Sequence, residues 1–285
     1  MSHGFLALDK PAGPTSHDVV AIIRRAFGTR RVGHTGTLDP FATGLLLVLV
    51  GQATRLARYL VGLPKEYHGV LRLGSTTTTD DATGEVTGAS DNWRALDDAR
   101  LRAAMAALLG EREQVPPAYS AKRVRGERAH RLARRGAALT LAPTRVEVQR
   151  FDLTDRSGAD ARFVAAVGSG TYVRSLAREL GEILGCGAHL VELRRTAVGP
   201  FRVDGATSLE DVRQGRAVLA APAAALPHLA AAAVEAAAVE RLIRGQPIEA
   251  AHAAAGPLAL FCDGRLVAVV QPRAGQWHPE VVLAG

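Results

Sequence analysis

Two cysteines, Cys186 and Cys262, are all the chain has in 285 residues, too few and too far apart for a disulfide framework, a metal-spaced cluster or a redox pair. Long apolar runs are missing too. The best candidate, Leu45–Val50, has the length of a strand and falls far short of the roughly 18–20 residues that cross a bilayer. The N-terminal MSHGFLALDKP offers only Phe5–Leu8 before Asp9 and Lys10, too little for the apolar core of a secretory signal. These absences make a cytoplasmic protein with no membrane contact the expectation. Lysine is scarce: Lys10, Lys65 and Lys122 stand against 32 arginines among the 35 basic residues. There is no internal repeat, no phosphate-binding Gly-Lys-Ser/Thr, and no zinc spacing among the nine histidines and two cysteines.

What is present is a chain able to fold and strongly basic. Apolar residues make up 47%, enough for a core, and the length suits a large domain followed by a small one. A net charge of +7 favours a polyanionic partner. An Ala- and Arg-rich composition can also arise by genome-wide drift, so clustering matters more than the total. Between Tyr119 and Gly136, Lys122, Arg123, Arg125, Arg128, Arg131, Arg134 and Arg135 face a single acid, Glu127.

Periodicity and punctuation predict a strand over Phe5–Leu8 and a helix capped by Ser16, with Val19, Ile23 and Phe27 on one face and Gly28 at its end. A glycine-punctuated loop, Gly33–Gly44, leads into the strand Leu45–Val50. Further helices are expected over about 53–61, 96–109 and 173–184, and strands near 70–73, 146–153 and 162–167. This mixture lacks a steady βαβ alternation, so an α+β fold is expected. The alanine-rich tract 217–238, broken by Pro222 and Pro227, reads as a linker with some helix. Two short apolar strands after it suit a small β-rich domain.

The stretch Gly33-His34-Thr35-Gly36-Thr37-Leu38-Asp39-Pro40 carries two readings. On local physics alone it reads first as a helix start, with Asp39 as cap and proline following. A carboxylate in a glycine-shaped loop before an apolar strand is also a good seat for a nucleophile. GHTGTLDPFATGLL resembles the catalytic motif of the TruB-type tRNA pseudouridine-55 synthases. Six more segments resemble that family in the same order: LDKPAGPTSHDVV, KEYHGVLRLG, TTDDATGEV, QVPPAYSAKRVRGERAH, GTYVRSLAREL and GAHLVELRRTAVG. Together they span most of residues 4–200.

The resemblance implies an isomerase that turns the uridine at position 55, in the T loop of tRNA, into pseudouridine. The nucleotide would be flipped out, and no cofactor or metal is required. Asp39 would be the nucleophile, with attack open to it at the sugar carbon or on the uracil ring. Arg174 would pair with that aspartate and Tyr172 would lie by the base and take a proton late; otherwise they read as a surface helix arginine and a half-buried core tyrosine. Tyr67 would stack on the uracil, a natural partner for an unstacked base, and Leu193 would line the same pocket. His34 would fill the T-loop gap left by the flipped nucleotides. Asp81 would help hold the tyrosine region or the substrate, and Lys10 would support the active-site loop.

The basic segment, an insertion at about 115–140, would clamp the tRNA T arm through Lys122, Arg123, Arg125, Arg128, Arg131 and Arg135. It departs from the family pattern at Arg123-Val124-Arg125-Gly126 and His130, which bears on fine contacts rather than on charge. The implied architecture is a mixed-sheet pseudouridine synthase catalytic domain, 1–230, plus a small β-rich PUA-like RNA-binding domain, 231–285. A monomer with no obligate protein partner is expected. An RNA-folding chaperone, whose role could coexist with catalysis, and an RNA N-glycosidase that breaks the same first bond are the rival readings.

Overall fold

The computed structural model describes residues 3–119 and 141–283, with the backbone of 123–124 and 127–128 between them. In chain order its elements begin with β1 (Gly4–Lys10), α1 (Ser16–Ala26), β2 (Val32–His34), β3 (Thr43–Val50), a 3-10 turn Gly51–Ala57 and α2 (Arg58–Val61). Next come β4 (Lys65–Leu73), β5 (Ser75–Thr77), β6 (Val86–Ala89), α3 (Asp98–Ala106), β7 (Gly110–Gln114), β8 (Arg123–Val124) and β9 (Glu127–Arg128). Then follow β10 (Thr144–Ser157), β11 (Asp160–Val167), α4 (Val173–Leu184), β12 (Ala188–Val198), β13 (Phe201–Arg202), β14 (Thr207–Ser208) and α5 (Leu209–Arg213). The last stretch holds β15 (Ala230–Ala233), α6 (Ala236–Ile243), β16 (Ile248–Glu249), β17 (Leu258–Cys262), β18 (Arg265–Arg273) and β19 (Gln276–Val282).

The chain divides into two compact units, and the division falls beside Asp39. One unit comprises Met1–Asp39, Leu45–Gly62 and Gly199–Gly285; the other comprises Pro40–Gly44 and Leu63–Val198. Both contain sheet and helix, and with parallel and antiparallel pairings the fold is α+β with a β-rich C-terminal part.

In the first unit β1 pairs in parallel with β14 and β2 pairs antiparallel to β3, placing His34 opposite Val48. Leu6, Leu8, Leu46, Val48 and Val50 from these strands pack on Val19, Val20 and Ile23 of α1 and Leu209 and Val212 of α5. The same unit holds a five-stranded sheet in the order β15-β17-β18-β19-β16. Its core is built from Leu242, Leu258, Leu260, Val270 and Trp277. The alanine tract expected to be a linker supplies its edge strand: Ala230–Ala233 pairs in parallel with Leu258–Phe261. Alanine favours helix locally, but a ready edge of unpaired backbone groups outweighs a propensity worth only tenths of a kcal/mol per residue.

In the second unit β12, β4, β11, β10 and β7 form an antiparallel sheet, and Thr43 and Gly44 pair in parallel with Arg194 and Arg195 of β12. Gly44 sits at φ 102°, and a Cβ there would lie 2.2 Å from the Arg195 carbonyl oxygen, so the motif's last glycine is a packing requirement. α4 closes on Gly185 at φ 71° and buries Leu176, Ala177, Leu180 and Leu184. Among the described residues no helix is long and apolar enough to cross a membrane.

Candidate active site

Asp39 does not begin a helix. The chain bends through Pro40 and Phe41 and enters β3 at Thr43, so there is no helix for the aspartate to cap. Residues 35, 36 and 38 are instead fixed in turn. Thr35 donates its N–H to the Leu47 carbonyl at 3.2 Å, and Gly36 donates its N–H to His34 Nδ1 at 3.3 Å. The Ser16 hydroxyl then takes both sides of Leu38: its Oγ accepts the Leu38 N–H at 2.9 Å and donates to the Leu38 carbonyl at 3.1 Å.

Ser16 and Leu38 are both buried, so one side chain satisfies two groups that water cannot reach. The residue expected to cap α1 is thus employed elsewhere. Thr15 is the cap, in a reciprocal box with Asp18, whose carboxyl the two Thr15 bonds hold below its ordinary range. Ser16→Ala leaves a buried N–H and C=O unsatisfied and is expected to cost ~1–3 kcal/mol. Turnover should slow with it, and Ser16→Thr, which keeps the hydroxyl, should retain most of both. Urea unfolding with single-turnover kinetics checks this; an alanine variant equal to wild type in both would remove Ser16 from the site.

Lys10, at the end of β1, is wholly buried and donates from Nζ to the Pro11 carbonyl at 2.9 Å. Its seat is in the first unit, as are those of His34 and Asp39.

The remaining candidates lie in the second unit. The β4–β12 register sets Tyr67 opposite Arg195 and Gly69 opposite Leu193. Alternation then puts Tyr67, Leu193 and Arg195 on one face. Lys65, two residues before Tyr67, shares that face, and burial with the charge of Arg195 beside it pulls the amine down to about 8. Arg195 is a buried residue that the sequence reading passed over. The available signal was strand alternation in Glu-Leu-Arg-Arg-Thr, which puts Arg195 on the side of Leu193.

Tyr172 immediately precedes α4 and donates its backbone N–H to Gln114 Oε1 at 2.8 Å. Arg174, in the first turn, is buried. Its guanidinium donates to Thr79 O at 3.0 Å, to Asp81 Oδ2 at 3.3 Å and to Tyr119 O at 2.9 Å. Asp81 is buried as well, and its other oxygen accepts from Thr79 Oγ1 at 2.7 Å and from the Thr83 N–H at 3.0 Å. The structure therefore brings Arg174 and Asp81 together.

Of the clamp residues, Arg123 and Arg128 face each other across the β8–β9 pair. Their side chains lie outside the described residues, as do Lys122, Arg125, Arg131 and Arg135. Among the described residues no group of three or more His, Cys, Asp or Glu is placed to hold a metal ion.

Comparison with known proteins places the chain in a family. Residues 24–173 match the N-terminal domain of the TruB family of pseudouridylate synthases, and 174–249 match the tRNA pseudouridylate synthase B C-terminal domain. The chain belongs to the TruB family. A tRNA pseudouridine synthase B of Thermobifida fusca is 46% identical over 100% of this chain and 100% of its own. Proteins of the same name from Geobacter sulfurreducens and Mycobacterium tuberculosis are 42% and 41% identical, covering 97% and 98% of this chain and 96% and 95% of theirs. Among solved structures, a chain of the archaeal box H/ACA sRNP Nop10-Cbf5 complex superposes with a TM-score of 0.72 at 26% identity, covering 98% of this chain and 85% of that one. The TruB frame covers both the pinned Asp39 loop and the helix that carries Arg174.

Proposed function

We propose that this TruB-family chain isomerises the T-loop uridine of tRNA, at position 55, to pseudouridine in the cytoplasm, with Asp39 as nucleophile. The observation that carries the reading is the seat of Asp39: the last residue of a segment pinned at Thr35, Gly36 and Leu38, with no helix to cap. A carboxylate is anionic at neutral pH and attacks without an activating base. A rigid backbone removes the freedom that would otherwise be lost on reaching the transition state. Attack at the sugar carbon displaces the uracil and leaves an Asp39–sugar bond, whereas addition to the ring forms an Asp39–base bond before the glycosidic bond breaks. The base then turns, and the bond to Asp39 breaks so that the carboxylate is regenerated. The base rejoins the sugar through carbon 5, whose hydrogen leaves as a proton while the former glycosidic nitrogen gains one. Product and substrate are isomers, so the balance needs no co-reactant.

The roles of the other residues follow from their motif positions: Arg174 keeps a carboxylate charged and Tyr172 handles the late proton. Tyr67 stacks on the base, with Leu193 beside it excluding water; the shared face of β4 and β12 supports that pairing. His34 fills the T-loop gap, Lys10 supports the loop, and residues 231–285 add a PUA-like RNA-binding domain to a catalytic domain over 1–230. The protein works as a monomer without a cofactor. With tRNA labelled at uracil carbon 5, label should be released, and in unlabelled tRNA the modified nucleotide should keep the mass of uridine. Free uracil in the product would instead make the protein an N-glycosidase.

The clamp is proposed to grip phosphates without reading bases. Replacing Arg128, Arg131 and Arg135 with alanine should weaken tRNA binding and lower the salt slope by roughly 2–3, near 0.7–0.9 per lost contact. The rate at saturating tRNA should fall much less than the rate at low tRNA. A binding series from low to high salt decides it, and an unchanged slope would place these arginines in solvent.

A further inference from the structure

Arg178 lies one turn beyond Arg174 on α4, and the two arginines reach the same two segments of chain. Arg174 donates to Thr79 O and Asp81 on one segment and to Tyr119 O on the other. Arg178 donates to Asp80 Oδ2 at 2.5 Å on the first and to Val115 O at 2.8 Å on the second. Ser175, between them on the helix, donates from Oγ to the same Val115 carbonyl at 2.8 Å. Asp80 is held at φ 61°, in the left-handed region, where a side chain other than glycine persists only if its surroundings hold it. Its carboxyl on Arg178 is one such hold. Its backbone adds two more, accepting the Leu190 N–H at 3.0 Å and donating its own N–H to the Thr77 carbonyl at 3.3 Å.

We infer that Arg178 is a positioning residue for Arg174. It sets the two backbones from which Arg174 takes its hydrogen bonds, the loop 79–81 through Asp80 and the segment 115–119 through the Val115 carbonyl. Asp81 meets Arg174 from the residue next to Asp80, so a shift of Asp80 carries Asp81 with it. Arg178 sends its hydrogen bonds to Asp80 and Val115 rather than to a residue proposed to meet the base. Its influence passes through the placement of a guanidinium one helical turn away, and a displacement of about 1 Å at such a group is enough to slow chemistry strongly. The inference rests on the proposed function for its kinetic consequence, though the structural consequence stands without it.

The test compares Arg178→Ala, Asp80→Gly and their double variant with wild type in full-length protein. Glycine adopts the conformation of Asp80 without strain, so that variant removes the ion pair while easing the backbone. Each single variant should slow single-turnover release of label from carbon 5 of unmodified tRNA by about tenfold or more with affinity unchanged, and the double variant should be no slower than either. Amide exchange at Asp80 and Ala82, protected by the Thr77 and Leu190 carbonyls, should accelerate in both singles while exchange in β10 and β11 stays as in wild type. Wild-type rates together with wild-type exchange in Arg178→Ala, or an Asp80→Gly loss that adds in full to it, would overturn the assignment. If wild type itself released no label, the proposed function would fall, and exchange at Asp80 and Ala82 would still decide whether Arg178 holds this loop.

Discussion

Asp39→Asn is expected to abolish turnover while tRNA binding survives. The substitution keeps the size and polarity of the side chain and removes its charge, which separates attack from packing. The segment that carries Asp39 is fixed by backbone and Ser16 contacts at Thr35, Gly36 and Leu38. These bonds hold the backbone on either side of the motif's Thr37 and use backbone, His34 and Ser16 atoms, so the substitution leaves them in place. A neutral amide is a poor nucleophile, and no other described carboxylate lies in the pinned loop to replace it. The measurement is single-turnover label release at saturating tRNA, with binding followed separately. Turnover within about tenfold of wild type, a barrier change of only ~1.4 kcal/mol, would sink the assignment.

How much of this was legible beforehand depended on how far each interaction reaches along the chain. Helix Val173–Leu184 was read with its limits intact, because Leu176, Ala177, Leu180 and Leu184 repeat on one face and Gly185 ends it. All of that information is local. The start of α1 was misplaced by one residue because Ser16 is, in isolation, the better cap of the two. The choice was made by Leu38, 22 residues away, which claims the Ser16 hydroxyl.

The alanine tract failed as a linker for a similar reason: what makes Ala230–Ala233 a strand is the open edge of β17. The candidate residues of the site were named through family resemblance, which stores distant contacts in a pattern of residues. Arg178 falls within the matched segment GTYVRSLAREL, yet the resemblance gave it no role. Its partners Asp80 and Val115 lie 98 and 63 positions away, and among 32 arginines nothing local sets it apart.

Arg174→Lys should cost both rate and stability, although the charge is conserved. The guanidinium spreads its bonds over Thr79 O, Asp81 Oδ2 and Tyr119 O, which belong to two separate stretches of chain. A lysine ammonium is one point at the end of a thinner stem, and it cannot present separated donors to both stretches at once. Whichever stretch it abandons keeps a polar group inside the protein without its partner. If that group is Asp81, a buried carboxylate loses its cation, and complete removal of such a partner costs ~3–5 kcal/mol. Arg174→Ala should approach that loss, and Arg174→Lys should fall between it and wild type. In rate, the lysine variant should lose at least about a hundredfold, or ~2.7 kcal/mol of barrier, because the orientation of the group is lost along with its contacts. Asp81→Asn provides the cross-check: it keeps the Thr79 and Thr83 bonds within reach while weakening the pull on Arg174, so its stability loss should be smaller than that of Arg174→Ala. Urea unfolding and single-turnover kinetics on the three variants measure both quantities. A lysine variant with full rate and full stability would show that positive charge alone is enough at this position, and the fork geometry of Arg174 would then have no part in catalysis.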